Sequence, residues 1–112
     1  MIVGLGMDLV DIPRIAAMLA EHGDRALARL FTAGEAAYAR GRPEPARHLA
    51  ARFAAKEAAY KALAGTERAR CISWLDAELA VEWDGRPTLR LHGRAAERAA
   101  ELGVVRAHLT LT

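Results

Sequence analysis

The spacing of apolar residues changes along the chain and separates a helical first half from a second half that contains strands. Residues 2–10 are mostly β-type residues with two glycines among them, which favours a strand. Asp11 can then cap a helix, with Pro13 tolerated in its first turn, and His22–Gly23 ends it. The apolar stripe of this helix is Ile12, Ile15, Met18 and Leu19.

Two further helices are indicated before the middle of the chain. Thr32–Glu35 fits a capping box that opens a short helix through Tyr38, although a solvent-exposed loop with chance spacing is the alternative. The breaker segment 41–45 precedes an alanine-rich helix that runs to about Leu63. Gly65 is a natural residue to follow its C-terminus.

In the second half of the chain, apolar and polar residues alternate with a period of two. Leu75–Trp83 and Thr88–Leu91 read as two strands joined by a turn at Asp84–Gly85, and a short helix covers Gly93–Leu102. Val104–Thr112 alternates again and predicts another strand. The order favours an α+β fold, in which a small, mainly antiparallel sheet packs against one long and several short helices.

Size and composition narrow the class of protein. A chain of 112 residues suits one domain, and its net charge of +2 with a pI of about 9.1 suits an anionic small molecule or an acidic protein surface. The basic residues are not clustered as nucleic-acid binding would require. The single cysteine, Cys71, excludes an intrachain disulfide and is expected to be a buried, inert thiol in a reducing compartment. Without a signal peptide or a long apolar run, the protein is expected to be cytoplasmic and not to bind membranes.

The helix over residues 51–63 carries the chemistry of most interest. It places one acid, Glu57, among the bases Arg52, Lys56 and Lys61 on an alanine-rich backbone. Glu57 and Lys61 are four residues apart and share one face, which could hold a cation and a phosphate side by side. The plainer interpretation is an exposed ion pair that contributes a few tenths of a kcal/mol.

Asp8 is a second candidate acid, at the end of the first predicted strand. It is either a turn residue or, because Asp11 is the better cap, a metal ligand. Two carboxylates such as Asp8 and Glu57 suit Mg²⁺, which takes one or two of them together with water and phosphate oxygens. Gly4 and Gly6 do not open a dinucleotide-binding motif, since its third glycine would fall at Leu9; a close backbone approach explains them better.

Two motifs resemble the holo-acyl-carrier-protein synthase family of 4′-phosphopantetheinyl transferases. Residues 4–14, GLGMDLVDIPR, are similar to the opening G-x-G-x-D pattern of the family, and residues 51–62, ARFAAKEAAYKA, are similar to its central R-F-A-A-K-E-A segment. The strand at 73–78, the turn GRP at 85–87 and the segment HLTLT at 108–112 also resemble family segments, in the same order.

The resemblance implies transfer of 4′-phosphopantetheine from coenzyme A to a serine of an apo acyl carrier protein, with release of adenosine 3′,5′-bisphosphate. Asp8 and Glu57 would hold Mg²⁺ against the pyrophosphate, Lys61 would stabilise charge there, and Glu57 is the candidate base. The other matching positions supply contacts with coenzyme A or with the carrier protein. For coenzyme A these are Arg52, Lys56, Gly65, Gly85, Arg86 and Pro87. For the carrier protein they are Arg14 and Met18.

The resemblance also implies a homotrimer with active sites between subunits. The carrier protein could serve fatty-acid biosynthesis and lipid metabolism, or polyketide assembly. Where the family has G-T-G after the helix, this chain has Ala64-Gly65-Thr66. It stops at Thr112, where the family continues, so residues 1–112 are expected to form one transferase domain without the family's last strand. A non-catalytic module that binds coenzyme A or a carrier protein, or an assembly domain that binds anions, stays an alternative.

Overall fold

Helices occupy most of the first half of the chain in this computed structural model, which describes residues 1–64 and 71–112. Within these two ranges the chain forms three helices, then a hairpin and a fourth helix. Their bounds are α1 (Ile12–Leu30), α2 (Ala33–Arg40), α3 (Pro45–Leu63), β1 (Ala77–Val81), β2 (Pro87–Leu91) and α4 (Gly93–Leu102). The predicted α+β class with a small antiparallel sheet is confirmed. Gly65, expected after the end of α3, lies outside the described residues.

The first helix differs from its prediction at both ends. Asp11 occupies the N-cap position, but its side chain makes no capping hydrogen bond. Gly23 has φ 57° and ψ −137°, a left-handed conformation that glycine adopts without strain, and the helix resumes beyond it to Leu30. The predicted end at His22–Gly23 is therefore a kink inside α1.

The capping box at the start of α2 is confirmed, and the alternative of a solvent-exposed loop is wrong. Thr32 Oγ1 accepts a hydrogen bond from Glu35 N at 3.2 Å, and Glu35 Oε1 accepts one from Thr32 N at 3.0 Å. Two N–H groups that a helix start leaves unpaired are satisfied in this way. Glu35 is nevertheless buried, because its carboxylate also turns toward α3 and β1.

Residues 1–10 form no strand, contrary to prediction, and cross α3 instead. A Cβ atom built on Gly6 would lie 1.7 Å from the backbone oxygen of Ala58, and one built on Gly4 would lie 2.4 Å from that of Ala62. Only glycine permits this approach. The interpretation of the two glycines as a site of close backbone contact is confirmed, and the contact brings the N-terminal segment against α3.

Residues 104–112 also form no strand, contrary to prediction, and their burial does not alternate: residues 105–108 are all exposed, and Val105 is 97% exposed. Within the described residues the sheet consists of β1 and β2 alone, paired from Ala77 with Leu91 to Val81 with Pro87. A mainly apolar cavity of about 530 Å³ lies between the two terminal segments, α3 and β2. Alternation predicts which side chains share a face, but a strand also needs a hydrogen-bonded neighbour.

Two apolar clusters hold the helices together. One joins α1, α2 and α3 through Ile15, Phe31, Ala39, Leu49 and Ala50, and the other joins α3 and α4 through Leu63, Ala95 and Ala99. Arg98 Nε donates to the backbone oxygen of Leu63 at 3.0 Å and so satisfies the C-terminus of α3. Cys71 is exposed, so the expectation of a buried thiol is wrong. No helix among the described residues is both long and apolar enough to cross a membrane.

Glu78 connects the hairpin to the start of α2. Its carboxylate accepts a hydrogen bond from Thr32 Oγ1 at 2.5 Å and lies 3.0 Å from His92 Nε2. The bond from Thr32, against the opposing effect of burial and with help from His92, holds the pKa of Glu78 below its ordinary value of 4.5. Because this pKa is lower in the folded protein, ionised Glu78 stabilises the fold above the unfolded-state value, and the stabilisation is lost as the pH falls through the folded-state value.

We expect Glu78→Gln to unfold more easily than the wild type at pH 7, with a difference that shrinks as the pH falls below about 4.5. Urea unfolding at pH 7 and at about pH 3 measures the two free energies. Glu21→Gln, at a carboxylate that is 75% exposed, is the control and should change little at either pH. A difference for Glu78→Gln that stays the same at both pH values would contradict the linkage.

Candidate active site

Asp8 and Lys61 are far apart in the sequence but in direct contact in the fold. Lys61 Nζ donates to Asp8 Oδ1 at 2.9 Å and to the backbone oxygen of Met7 at 2.9 Å. The Asp8 side chain is 13% exposed and that of Lys61 is 54% exposed, so a sheltered carboxylate meets an ammonium that reaches solvent. The crossing of Gly4 and Gly6 over α3 makes this contact possible, because it brings the next residues beside the last turns of the helix.

Glu57 lies one helical turn before Lys61 on the same face of α3. Its side chain is partly buried and has no hydrogen-bond or ion-pair partner among the described residues. Neighbours at this spacing have Cβ atoms about 5–6 Å apart, so Glu57 lies within one turn of the contact between Asp8 and Lys61. The three residues that the sequence singled out for catalysis therefore lie in one region.

The carboxylates of this region are suitable ligands for Mg²⁺. Asp8 is held in place by Lys61, and Glu57 has no partner among the described residues that would compete with a cation. Both are hard oxygen donors, and Mg²⁺ fills its remaining positions with water and phosphate oxygens. In the part of the chain that the structure describes, no three His, Cys, Asp or Glu side chains converge as a metal site. A Mg²⁺ site here would therefore depend on substrate oxygens.

Arg52 lies further toward the N-terminus of α3, in a basic cluster that the sequence did not reveal. Its guanidinium stacks on the Tyr38 ring at 4.1 Å from the centroid, and that of Arg42 stacks on the same ring at 3.5 Å. Arg52 donates to the backbone oxygen of His48, but its buried Nε has no partner among the described residues. Burial lowers the pKa of Arg52 from its ordinary value, and the neighbouring Tyr38 and Glu35 oppose this effect.

Lys56 is buried in the interior, which corrects its interpretation as a contact for coenzyme A. Its side chain has no exposed area, and Nζ lies 2.7 Å from Glu35 Oε1, 2.7 Å from the oxygen of Trp74 and 2.6 Å from that of Ala77. Three acceptors match the three protons of the ammonium. Burial lowers the pKa of Lys56 from its usual value, and the hydrogen bond to Glu35 opposes this. No donor of Lys56 is left for a ligand.

The remaining predicted contacts lie on two exposed surfaces. Gly85, with φ +85°, and Arg86 form the exposed turn between β1 and β2, and Pro87 pairs with Val81 at its base. On α1, Arg14 is exposed, whereas Met18 is only partly exposed because it packs against the core of the first three helices. Gly65, predicted near the phosphates, lies outside the described residues.

Comparison with known proteins identifies the family. The sequence model described as the 4′-phosphopantetheinyl transferase superfamily matches residues 4–112. The chain belongs to this superfamily. A holo-[acyl-carrier-protein] synthase of Koribacter versatilis (strain Ellin345) is 46% identical over 112 residues, which cover 100% of this chain and 89% of that protein.

Two solved structures of synthases resemble this phosphopantetheinyl transferase. The holo-[acyl-carrier-protein] synthase from Neisseria meningitidis superposes with a TM-score of 0.80 at 28% identity, over 95% of this chain and 84% of that one. A synthase from Chronobacterium ammoniagenes in complex with coenzyme A gives a TM-score of 0.75 at 30% identity, over 88% and 77% of the two chains. The predictions of the synthase family, its fold and its enzyme class are confirmed.

Proposed function

We propose that this transferase moves 4′-phosphopantetheine from coenzyme A to a serine of an apo acyl carrier protein, with Mg²⁺ as its cofactor. The contact between Asp8 and Lys61 carries the proposal, because it places a carboxylate and an ammonium group beside the helical turn that bears a second carboxylate, Glu57. The family and the relative bound to coenzyme A support the choice of donor. Catalysis of phosphoryl transfer depends mainly on positioning and charge stabilisation, which Asp8, Glu57 and Lys61 can supply.

In the proposed reaction the serine oxygen of the carrier attacks the phosphorus atom next to pantetheine. A new P–O bond forms, the bond to the bridging oxygen breaks, and adenosine 3′,5′-bisphosphate leaves. Glu57 is the candidate to accept the serine proton. Lys61 stabilises the charge that develops on the phosphate oxygens. Mg²⁺, held by Asp8 and Glu57, would neutralise charge on the pyrophosphate.

The outer parts of the proposed site bind the ends of the two substrates. The exposed guanidinium of Arg42, which stacks on Tyr38 as does that of the buried Arg52, suits the 3′-phosphate of coenzyme A. The turn of Gly85, Arg86 and Pro87 would border the adenine. The acidic surface of the carrier would meet Arg14 and the exposed part of Met18, since opposite charges favour their encounter.

A homotrimer with active sites between subunits is part of the proposal. Several large apolar side chains of the N-terminal segment are exposed in the single chain, which favours an interface that covers them. They are Met1, Ile2, Val3, Leu5, Met7 and Leu9. The trimer would act in the cytoplasm, where coenzyme A and carrier proteins meet.

Mass spectrometry of the carrier protein tests the proposed activity. The enzyme is incubated with coenzyme A, Mg²⁺ and apo carrier proteins from fatty-acid and polyketide synthesis, with EDTA in a parallel series. We expect one phosphopantetheine group to be added to the serine of at least one carrier, only when Mg²⁺ is present. Binding of coenzyme A without transfer to any carrier would favour the non-catalytic module instead. Binding of any polyphosphate alike would favour the assembly domain.

A further inference from the structure

The buried pair of Glu35 and Lys56 joins three parts of the fold at one point. Glu35 Oε1 accepts from Lys56 Nζ at 2.7 Å and from Thr32 N, while its Oε2 accepts from Leu79 N at 3.0 Å. Lys56 also donates to the backbone oxygens of Trp74, which precedes β1, and of Ala77, the first residue of β1. Helix α3 is therefore tied to the start of α2 and to the hairpin by directional bonds, and both side chains have no exposed area.

A buried ion pair contributes little net free energy to the stability of the fold. Removing two charges from water is costly, and apolar side chains of similar volume often serve as well or better. What an apolar pair does not provide is a fixed set of hydrogen-bond directions. Glu35 and Lys56 have a partner for each strong donor and acceptor, so the bonds define how α3 is rotated against its neighbours.

The rotation of α3 decides where Glu57 and Lys61 point. Successive residues of a helix are about 100° apart around its axis, so a fixed Lys56 fixes the direction of Glu57 beside it. Lys61 reaches Asp8 from the same face, and Gly6 packs on Ala58 between them. A small rotation of α3 would move both charged groups relative to Asp8.

We propose that Glu35 and Lys56 are positioning residues for the transfer reaction, acting through the orientation of α3 on Glu57 and Lys61. The inference rests on the proposed function of the site. It gives Lys56 a different task from that of its neighbour Glu57, because Lys56 contacts the fold and not the substrate. Misplacement of reacting groups by about 1 Å can lower a rate about a hundredfold, so orientation by a remote pair can be measured in kcat.

The test compares single and double substitutions at the pair. Lys56→Met leaves the Glu35 charge buried without its partner, so we expect strong destabilisation or failure to fold. The double variant Glu35→Leu with Lys56→Met removes both charges and should recover part of the stability lost in Lys56→Met, although four backbone groups that the pair bonds lose these partners. We expect its kcat to stay about tenfold to a hundredfold below that of the wild type, with the KM for coenzyme A little changed.

Two further measurements separate positioning from stability. Hydrogen exchange of the amides of residues 57–61 should be faster in the double variant, and the Mg²⁺ concentration for half-maximal rate should rise. The matched control is Asp24→Asn with Arg40→Gln, a surface pair between α1 and α2 at 3.7 Å, which should leave all three readouts unchanged. Each variant is compared at a temperature at which it is fully folded.

The outcomes are distinct. A stable double variant with wild-type kcat and Mg²⁺ response would overturn the positioning role, while the proposed function would stand. A double variant whose kcat falls without faster hydrogen exchange at residues 57–61 would also overturn it, since the loss of rate would then not come from the orientation of α3. A wild-type protein that transfers no phosphopantetheine under any condition would overturn the proposed function and this inference with it.

Discussion

Replacing Asp8 by asparagine should lower the rate of phosphopantetheine transfer about a hundredfold to a thousandfold. The amide keeps the size of the side chain and can still accept a bond from Lys61, but it removes the negative charge that would hold Mg²⁺. The Asp8 side chain is 13% exposed and outside both core clusters, so the folded state should survive. Transfer to the carrier protein is measured by mass spectrometry over a range of Mg²⁺ concentrations.

Asp11→Asn is the matched control, because it makes the same change three residues later. Asp11 is exposed and its side chain makes no capping bond, so we expect a rate near that of the wild type. Lys61→Met separates the ion pair from the metal. It removes the partner of Asp8 and should lower kcat without raising the Mg²⁺ concentration for half-maximal rate, whereas Asp8→Asn should raise that concentration. Full activity of Asp8→Asn at low Mg²⁺ would eliminate Asp8 as a ligand.

The sequence predicted local structure well wherever a local interaction decides it. The capping box of Thr32 and Glu35 acts over four residues, and the turn at Asp84–Gly85 is settled by its own backbone preferences. Both could be predicted from spacing. Val104–Thr112 was predicted wrongly, because alternating residue types in a sequence do not show whether a strand has a hydrogen-bonded neighbour.

The site was predictable only in part, because some of its contacts join residues that are distant in the sequence. Glu57 and Lys61 share a face because helix geometry demands it, so the sequence alone paired them. Asp8 joined them through the family resemblance, and the glycines that allow its approach were recognised only as a general sign of close packing. Lys56 was misread because a lysine on an alanine-rich helix resembles a surface residue until its partner is known. That partner, Glu35, is 21 residues away on another helix.

The second large effect is expected from Gly6→Ala, which tests the contact that brings Asp8 to α3. The new Cβ atom would lie 1.7 Å from the oxygen of Ala58, a backbone atom of a helix that cannot turn aside. The N-terminal segment must therefore move away from α3 or distort it. We expect the free energy of unfolding to fall by about 1–3 kcal/mol and transfer to be lost, because Asp8 is two residues further along.

Gly4→Ala and Gly41→Ala are the comparison variants for Gly6→Ala, the first with a weaker clash and the second with none. The Cβ atom of the former would lie 2.4 Å from the oxygen of Ala62, so activity should fall here too. Gly41→Ala meets nothing closer than 3.7 Å at an ordinary φ of −79°, and should match the wild type in both readouts. Thermal unfolding and the transfer assay are run on all three variants. Wild-type stability and activity in Gly6→Ala would mean that the N-terminal segment does not cross α3 as described, and that Asp8 reaches Lys61 in some other way.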